Sequence, residues 1–250
     1  MAATLYSLPV SHPALAARAM VAHKGIEHRV VDLVAGLQPV MVRALGFRRY
    51  TVPALKVDGR RVQGTREISR FLDELRPDPP LFPADPEARR RVEDAERWGD
   101  EVLQDVPRRI ILWAAVNEYA VRRWLAETSN VPGGRLIARP TLQARAFARA
   151  RGADDATVRA DVAAIGAHLA EVERLRADGV IGGERPNAAD FQIASCLRSL
   201  AGLADLEPYV SDHAAVRWAA TVVPALPGPV PPALPAEWLR PLRAVAEPAA

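Results

Sequence analysis

Chemistry in this chain would have to come from a few polar residues set at turns. Ser11-His12-Pro13 follows a short apolar segment and reads as a helix start, with Ser11 at the cap and proline in the first turn. A hydroxyl in that place caps the helix, or it donates a hydrogen bond to a charged ligand and lowers that ligand's pKa. Tyr6 and Ser7 are rivals for the same task, and His12 reads as solvent-facing. Thr51-Val52-Pro53-Ala54-Leu55 is by itself a weak motif, although a backbone-to-backbone contact can recognise a peptide without needing particular side chains. Gln63-Gly64-Thr65-Arg66-Glu67-Ile68 opens another helix, where free N–H groups and the helix dipole favour an anion. Thr65 is either a plain cap there or a ligand for a carboxylate.

Composition narrows the alternatives. The chain has 250 residues, 49% of them hydrophobic and 25% charged, as in an ordinary soluble protein of one large or two modest domains. The net charge is +3, and Lys24 and Lys56 are the only lysines, so arginine carries nearly all the positive charge. Those arginines alternate with acids, as in Glu87-Ala88-Arg89-Arg90-Arg91-Val92-Glu93-Asp94, which is a solvated surface rather than a nucleic-acid groove. Cys196 is the single cysteine and sits in the apolar run Phe191–Leu197, so it reads as core. No cluster of histidines and cysteines suggests a metal, and no glycine loop suggests a nucleotide. No stretch approaches the roughly 20 apolar residues that span a bilayer. No signal peptide is evident, so a cytoplasmic protein is the expectation.

The elements that position these residues follow from periodicity. Ala2–Tyr6 reads as a strand, Ser11–Gly25 as a helix and Glu27–Val31 as a second strand, which implies a parallel pair. Gln38–Leu45 is a short helix at best. Ala54–Val57 and Arg60–Gln63 flank Asp58-Gly59, a tight hairpin turn, and Thr65 caps a helix with Ile68, Phe71, Leu72 and Leu75 on one face. Arg76–Pro83 is too rich in proline to continue the helix and reads as a stiff linker. Beyond Glu87 strand signals vanish and helices take over. Pro107 should break the first of them, Val131-Pro132-Gly133-Gly134 should end the next segment, and Thr157–Ala177 is strongly amphipathic. The proline-rich stretch Pro224–Pro235 either folds back or is partly disordered.

Near the end stands Gly182-Gly183-Glu184-Arg185-Pro186-Asn187-Ala188-Ala189-Asp190-Phe191. Asn187 and Asp190 have the spacing of a reciprocal helix cap. This segment and Thr51–Leu55, in this order and separation, resemble the glutathione transferase family over about residues 3–220. The resemblance implies an α/β thioredoxin-like domain (1–77), a linker (78–86), an all-helical domain (87–223) and an unmatched proline-rich tail (224–250). It implies a cis Val52–Pro53 bond, with Val52 and Pro53 facing the cysteinyl part of glutathione. Gln63, Gly64 and Thr65 would hold the γ-glutamyl carboxylate, and Ser11 would steady the thiolate as in serine-type members. Gly64 departs from the family, which usually carries glutamate or glutamine there, and Gln63 lies one residue too early to replace it. Arg48-Arg49-Tyr50 also departs, and either arginine would be placed to meet a glycyl carboxylate. The implied function is a transferase with glutathione as co-substrate, a small-molecule electrophile as second substrate, a homodimeric state and no metal. The electrophile would lie between the domains, walled by the helix carrying Trp113, Val116, Asn117 and Tyr119. The alternatives are a non-catalytic binding or scaffold protein on this fold, or an enzyme using another low-molecular-weight thiol.

Overall fold

The structure, a computed structural model, describes residues 2–129 and 142–246. Strict alternation makes the first strand, β1 (Ala3–Ser7): Ala3, Leu5 and Ser7 are buried on one face while Thr4 and Tyr6 are half-buried on the other. Helix α1 (His12–His23) carries the chain back to β2 (His28–Asp32), one residue later than the pattern predicts, which pairs parallel with β1. After the short α2 (Gln38–Ala44), β3 (Ala54–Val57) and β4 (Arg60–Gln63) form the expected hairpin. Asp58 and Gly59 both take positive φ, 44° and 88°, the twist that a two-residue hairpin turn requires. β3 runs antiparallel to β1 with Ala54 opposite Tyr6, so the strand order is β2-β1-β3-β4.

Helix α3 (Thr65–Leu75) starts one residue before the expected point. Its cap is Gly64, at φ 99°, and Thr65 is the first helical residue. The chain turns out of β4 through a conformation that only glycine takes without cost, so the cap passes to Gly64.

One face of the sheet is covered by α1 and α3. Leu5, Leu55 and Val57 meet Ala17, Met20, Ile68 and Leu72 there. The other face carries a smaller cluster of Leu33, Val42, Phe47 and Ala54, with Tyr6, Leu8 and Val52 against it. This is a thioredoxin-like N-terminal domain, and the remainder of the described chain is mostly helical. Helix α4 (Pro86–Trp98) runs through a π-helical turn (Gly99–Leu103) into α5 (Asp105–Asn117). The break therefore falls upstream of Pro107, which lies in the first turn of α5. Then come α6 (Tyr119–Thr128), α7 (Leu142–Ala150), α8 (Asp155–Ala177), α9 (Ala188–Ala201), α10 (Glu207–Val210), α11 (Ala214–Val222), a 3-10 turn (Arg240–Leu242) and α12 (Arg243–Ala246). Val131–Gly134 lies outside the described residues. The buried α9 packs on α1, α4 and α11, so a single apolar core runs from the sheet into the helices.

Two features tie the parts together. Lys24, at the end of α1, is completely buried, and its Nζ donates to Asp73 Oδ1 (2.8 Å), the Arg76 carbonyl (2.8 Å) and the Pro79 carbonyl (2.5 Å). A buried ammonium needs such partners to offset its lost hydration. The proline-rich stretch folds back: Val230 bridges Leu203, the Ala233 and Leu234 N–H groups donate to Asp205 Oδ2, and Trp238 packs on Trp113 at 5.0 Å between ring centroids. No helix among the described residues is long and apolar enough to cross a membrane.

Candidate functional site

The register of three strands gathers most of the candidate residues at one end of the sheet. Pairing of Ala54 with Tyr6 sets Val52–Pro53 beside the turn after β1, and pairing of Ala54 with Gln63 sets Gly64–Thr65 on its other side. The Gly64 N–H donates to the Pro53 carbonyl at 3.0 Å, fastening the two segments directly. The Val52–Pro53 peptide bond is cis. Neither the N–H nor the C=O of Val52 has a hydrogen-bond partner among the described residues.

Ser11 sits where the sequence places it, at the N-cap of α1. Its Oγ accepts from the Ala14 N–H at 3.3 Å and its own N–H donates to the Leu8 carbonyl at 3.0 Å. Capping uses only the oxygen lone pair, so the hydroxyl proton is still available to an acceptor. The rivals are differently engaged. The Ser7 hydroxyl donates to the Leu8 carbonyl at 3.2 Å, and Tyr6 packs edge-on against Phe47 with centroids 5.7 Å apart.

Thr65 is only 4% exposed, yet its hydroxyl makes no hydrogen bond among the described residues. Its oxygen is not one of the fully buried unpaired side-chain atoms, so the hydroxyl reaches the surface at the helix start, where it is open to a ligand. Gln63 is spent otherwise. Its Oε1 accepts from the Arg49 N–H at 2.8 Å, while its Nε2 donates to the carbonyls of Arg49 (2.9 Å) and Thr51 (2.7 Å). The buried amide therefore holds the loop that leads into Val52.

His12 does not face solvent. It is 3% exposed, and its Nε2 lies 3.2 Å from the Gln104 carbonyl, just past the π-helical turn. Because a carbonyl only accepts, Nε2 carries a proton. Burial, helped by the nearby Arg108 guanidinium, lowers its pKa to about 3. The Gln104 side chain continues inward: its Oε1 accepts from Gln192 Nε2 at 3.1 Å and its Nε2 donates to Asp100 Oδ1 at 2.9 Å. Polar spacing alone gives no hint of this chain of contacts, since its members come from α1, the π turn and α9.

Of the residues expected to wall the electrophile, Trp113 is engaged elsewhere. Trp113 is buried under the tail, with its indole N–H donating to Asp155 Oδ1 at 2.7 Å. The end of α5 that approaches α1 is instead the one beginning at Gln104 and Arg108. Cys196 is fully buried, its Sγ donating to the Gln192 carbonyl, and burial pushes its pKa up to about 12, so it is the inert core residue the sequence suggests. Among the described residues, no group of three or more His, Cys, Asp or Glu side chains is placed to hold a metal ion.

Across the mouth of the site lies an ion pair. Arg49 Nη2 meets Glu67 Oε1 at 2.5 Å, and Arg49 Nη1 donates to the Gln63 carbonyl at 3.3 Å. The pair passes directly over Gly64: a Cβ at that position would collide with Glu67 Oε2 and come within 2.8 Å of Arg49 Nη1. Arg48, by contrast, is exposed, and its carbonyl accepts from Arg43 Nη1 at 2.6 Å.

The sequence model of the glutathione S-transferase N-terminal domain matches residues 5–80. Among solved structures, the chain is similar to a glutathione S-transferase from Rhodospirillum rubrum F11, at 21% identity over 96% of this chain and 99% of that one, with a TM-score of 0.63. A glutathione S-transferase from Sinorhizobium meliloti 1021 is 17% identical over 96% of this chain and 99% of that one, with a TM-score of 0.60. A maleylacetoacetate isomerase from Anaeromyxobacter dehalogenans 2CP-1, solved with bound dicarboxyethyl glutathione and citrate, is 20% identical over 99% of this chain and 96% of that one, with a TM-score of 0.50. No curated protein matches the sequence. Identities this low establish the shared fold, and the match over residues 5–80 adds the family of the N-terminal domain. By that match and by its fold, residues 5–80 form a glutathione S-transferase N-terminal domain, and the chain as a whole shares the fold of the solved glutathione S-transferases.

Proposed function

We propose that the chain is a glutathione-transferase-type enzyme, activating a thiol for addition to a small-molecule electrophile or for a thiol-assisted isomerisation or reduction. One observation carries the reading: the Val52 backbone and the Thr65 hydroxyl both lack hydrogen-bond partners among the described residues, in two segments that the Gly64 N–H fastens together at the Pro53 carbonyl. A peptide thiol with a free carboxylate fits both sets of atoms. Val52 would pair with its backbone, and Thr65, through its hydroxyl and N–H, would hold the γ-glutamyl carboxylate at the positive end of α3. Gln63 would act indirectly, by fixing the Arg49–Thr51 loop. Glutathione, when bound, supplies the sulfur nucleophile. Ser11 would donate its hydroxyl proton to the sulfur anion, favouring the ionised form and lowering the thiol pKa. The thiol's own proton goes to solvent, and the sulfur lone pair forms the bond to the electrophile.

The same reading implies a cytoplasmic homodimer with no metal and no nucleic-acid partner. It divides the chain into a glutathione-binding domain (1–77), a linker (78–86), a helical domain (87–223) and a tail (224–250). The Arg49–Glu67 pair over Gly64 favours one rival, a binding protein that has kept the fold without the chemistry. A different low-molecular-weight thiol is the other.

Calorimetric titration with reduced glutathione and with a glutathione conjugate tests the reading. Saturable binding that weakens about tenfold in Thr65→Val, with the melting temperature unchanged, is the expected result. Absence of binding at millimolar concentration overturns the glutathione assignment.

A further inference from the structure

Gly64 removes a side chain from the start of α3, and the space it leaves is filled from one turn further on. A Cβ at position 64 would collide with Glu67 Oε2, so the Glu67 carboxylate occupies the direction in which a residue-64 side chain would leave the backbone. The carboxylate is held there by one oxygen only. Oε1 is bound to Arg49 Nη2 at 2.5 Å, whereas Oε2 has no hydrogen-bond partner among the described residues. Arg49 is itself anchored through its Nη1 to the Gln63 carbonyl, at 3.3 Å, and through its N–H to Gln63 Oε1 at 2.8 Å. The pair is thus tied to the same loop that presents Val52.

A γ-glutamyl head group carries an ammonium on the carbon that bears its α-carboxylate. If the carboxylate meets the Thr65 hydroxyl and the N–H groups of α3, the ammonium falls within the same few ångströms and needs an acceptor. The helix start supplies only donors there. We infer that Glu67 is the acceptor for the ligand's α-ammonium, reaching across Gly64 from the first turn of α3, and that Arg49 is the residue that positions it. This deepens the proposed glutathione site and rests on that reading. It also gives the Gly64 departure a physical role: any larger residue would displace the carboxylate.

The charge arithmetic favours an exchangeable arrangement. Arg49 and Glu67 are both about half-exposed, at 57% and 46%, so their mutual attraction is modest. Glu67 can therefore accept from a bound ammonium without first losing Arg49, since a carboxylate has two oxygens and about four lone-pair directions.

The test compares glutathione with its des-amino analogue, glutaryl-cysteinyl-glycine, by calorimetry on the full chain. Wild type should prefer glutathione by about tenfold, the size expected of a charge-assisted hydrogen bond. In Glu67→Ala that preference should shrink to within about twofold, chiefly through weaker glutathione binding. Arg49→Met should reduce the preference partly. Glu67 is exposed, so the variants should fold, and their melting curves verify this. An undiminished preference in Glu67→Ala, or a wild type that binds both ligands equally, overturns the role of Glu67 and leaves the glutathione site standing. Binding of neither ligand to any variant overturns both together.

Discussion

His12 donates its Nε2–H to the backbone carbonyl of Gln104 across 3.2 Å, joining the start of α1 to the residue that follows the π-helical turn. The residue next to the proposed thiol-activating serine is thereby fixed to the helical part of the chain. The contact buries the ring, and burial keeps it neutral, which gives it a pH signature.

For His12 the folded pKa, about 3, lies below the ordinary 6.5. Between those values the unfolded chain binds a proton that the native state refuses, so stability falls as pH drops through that window. The limiting slope is about 1.4 kcal/mol per pH unit. Asp190 acts in the opposite sense, because burial raises its carboxyl pKa from 3.8 to about 6 and the native state takes up the extra proton. The two effects oppose each other between roughly pH 4 and 6. Urea titrations of wild type and His12→Gln, run in parallel, isolate the histidine. The wild type should lose stability relative to the variant by about 1 kcal/mol per unit of acidification below pH 6. A difference independent of pH would show that His12 is not held neutral.

Asp190→Ala should destabilise the helical part without touching the site directly. Asp190 accepts the Asn187 N–H at 2.7 Å, completing a reciprocal cap with the Asn187 side chain, and the Gly182 N–H at 2.6 Å. Losing the cap and stranding two N–H groups costs about 3 kcal/mol. Thermal stability equal to that of wild type would refute this, as would a loss of ligand affinity in fully folded variant.

Ser11→Ala separates catalysis from capping. The lost cap costs about 1 kcal/mol, since the hydroxyl oxygen accepts only the Ala14 N–H. Glutathione affinity should be nearly unchanged, while turnover falls at least about 100-fold and the bound thiol ionises at higher pH. Ultraviolet titration of the bound thiolate reads the last quantity. An unshifted titration would move the activating role to another group.

Lys24→Ala should be among the most damaging substitutions distant from the site. It leaves the Arg76 and Pro79 carbonyls and Asp73 without their cation inside the joint between α1, α3 and the following segment. Removing one partner of a buried pair costs about 3–5 kcal/mol. Chemical denaturation measures it, and a loss below about 1 kcal/mol would mean that the joint carries little of the stability.

Local signals made much of the N-terminal architecture legible. Alternation in β1, the Asp58-Gly59 turn and the apolar face of α3 each depend on neighbours within a few residues, and each is found in place. The Asn187–Asp190 cap is likewise a contact over three residues. The cap of α3 lies one residue before the position the pattern predicts, because Gly64 and Thr65 both suit that place and the turn out of β4 decides between them.

By itself, then, the sequence determined the order of elements and the identity of the polar residues at their ends. Those follow from backbone preference and short-range hydrogen bonding. Tertiary structure decided which polar atoms are spent and which are free. The Arg49–Thr51 loop occupies the amide of Gln63, and Gln104 covers His12, which the sequence places at the surface. The tail covers Trp113, which the sequence alone offers as a pocket wall. In each case the partner comes from a distant segment or a different element, and desolvation by that partner, which no local pattern encodes, sets the chemistry of the side chain.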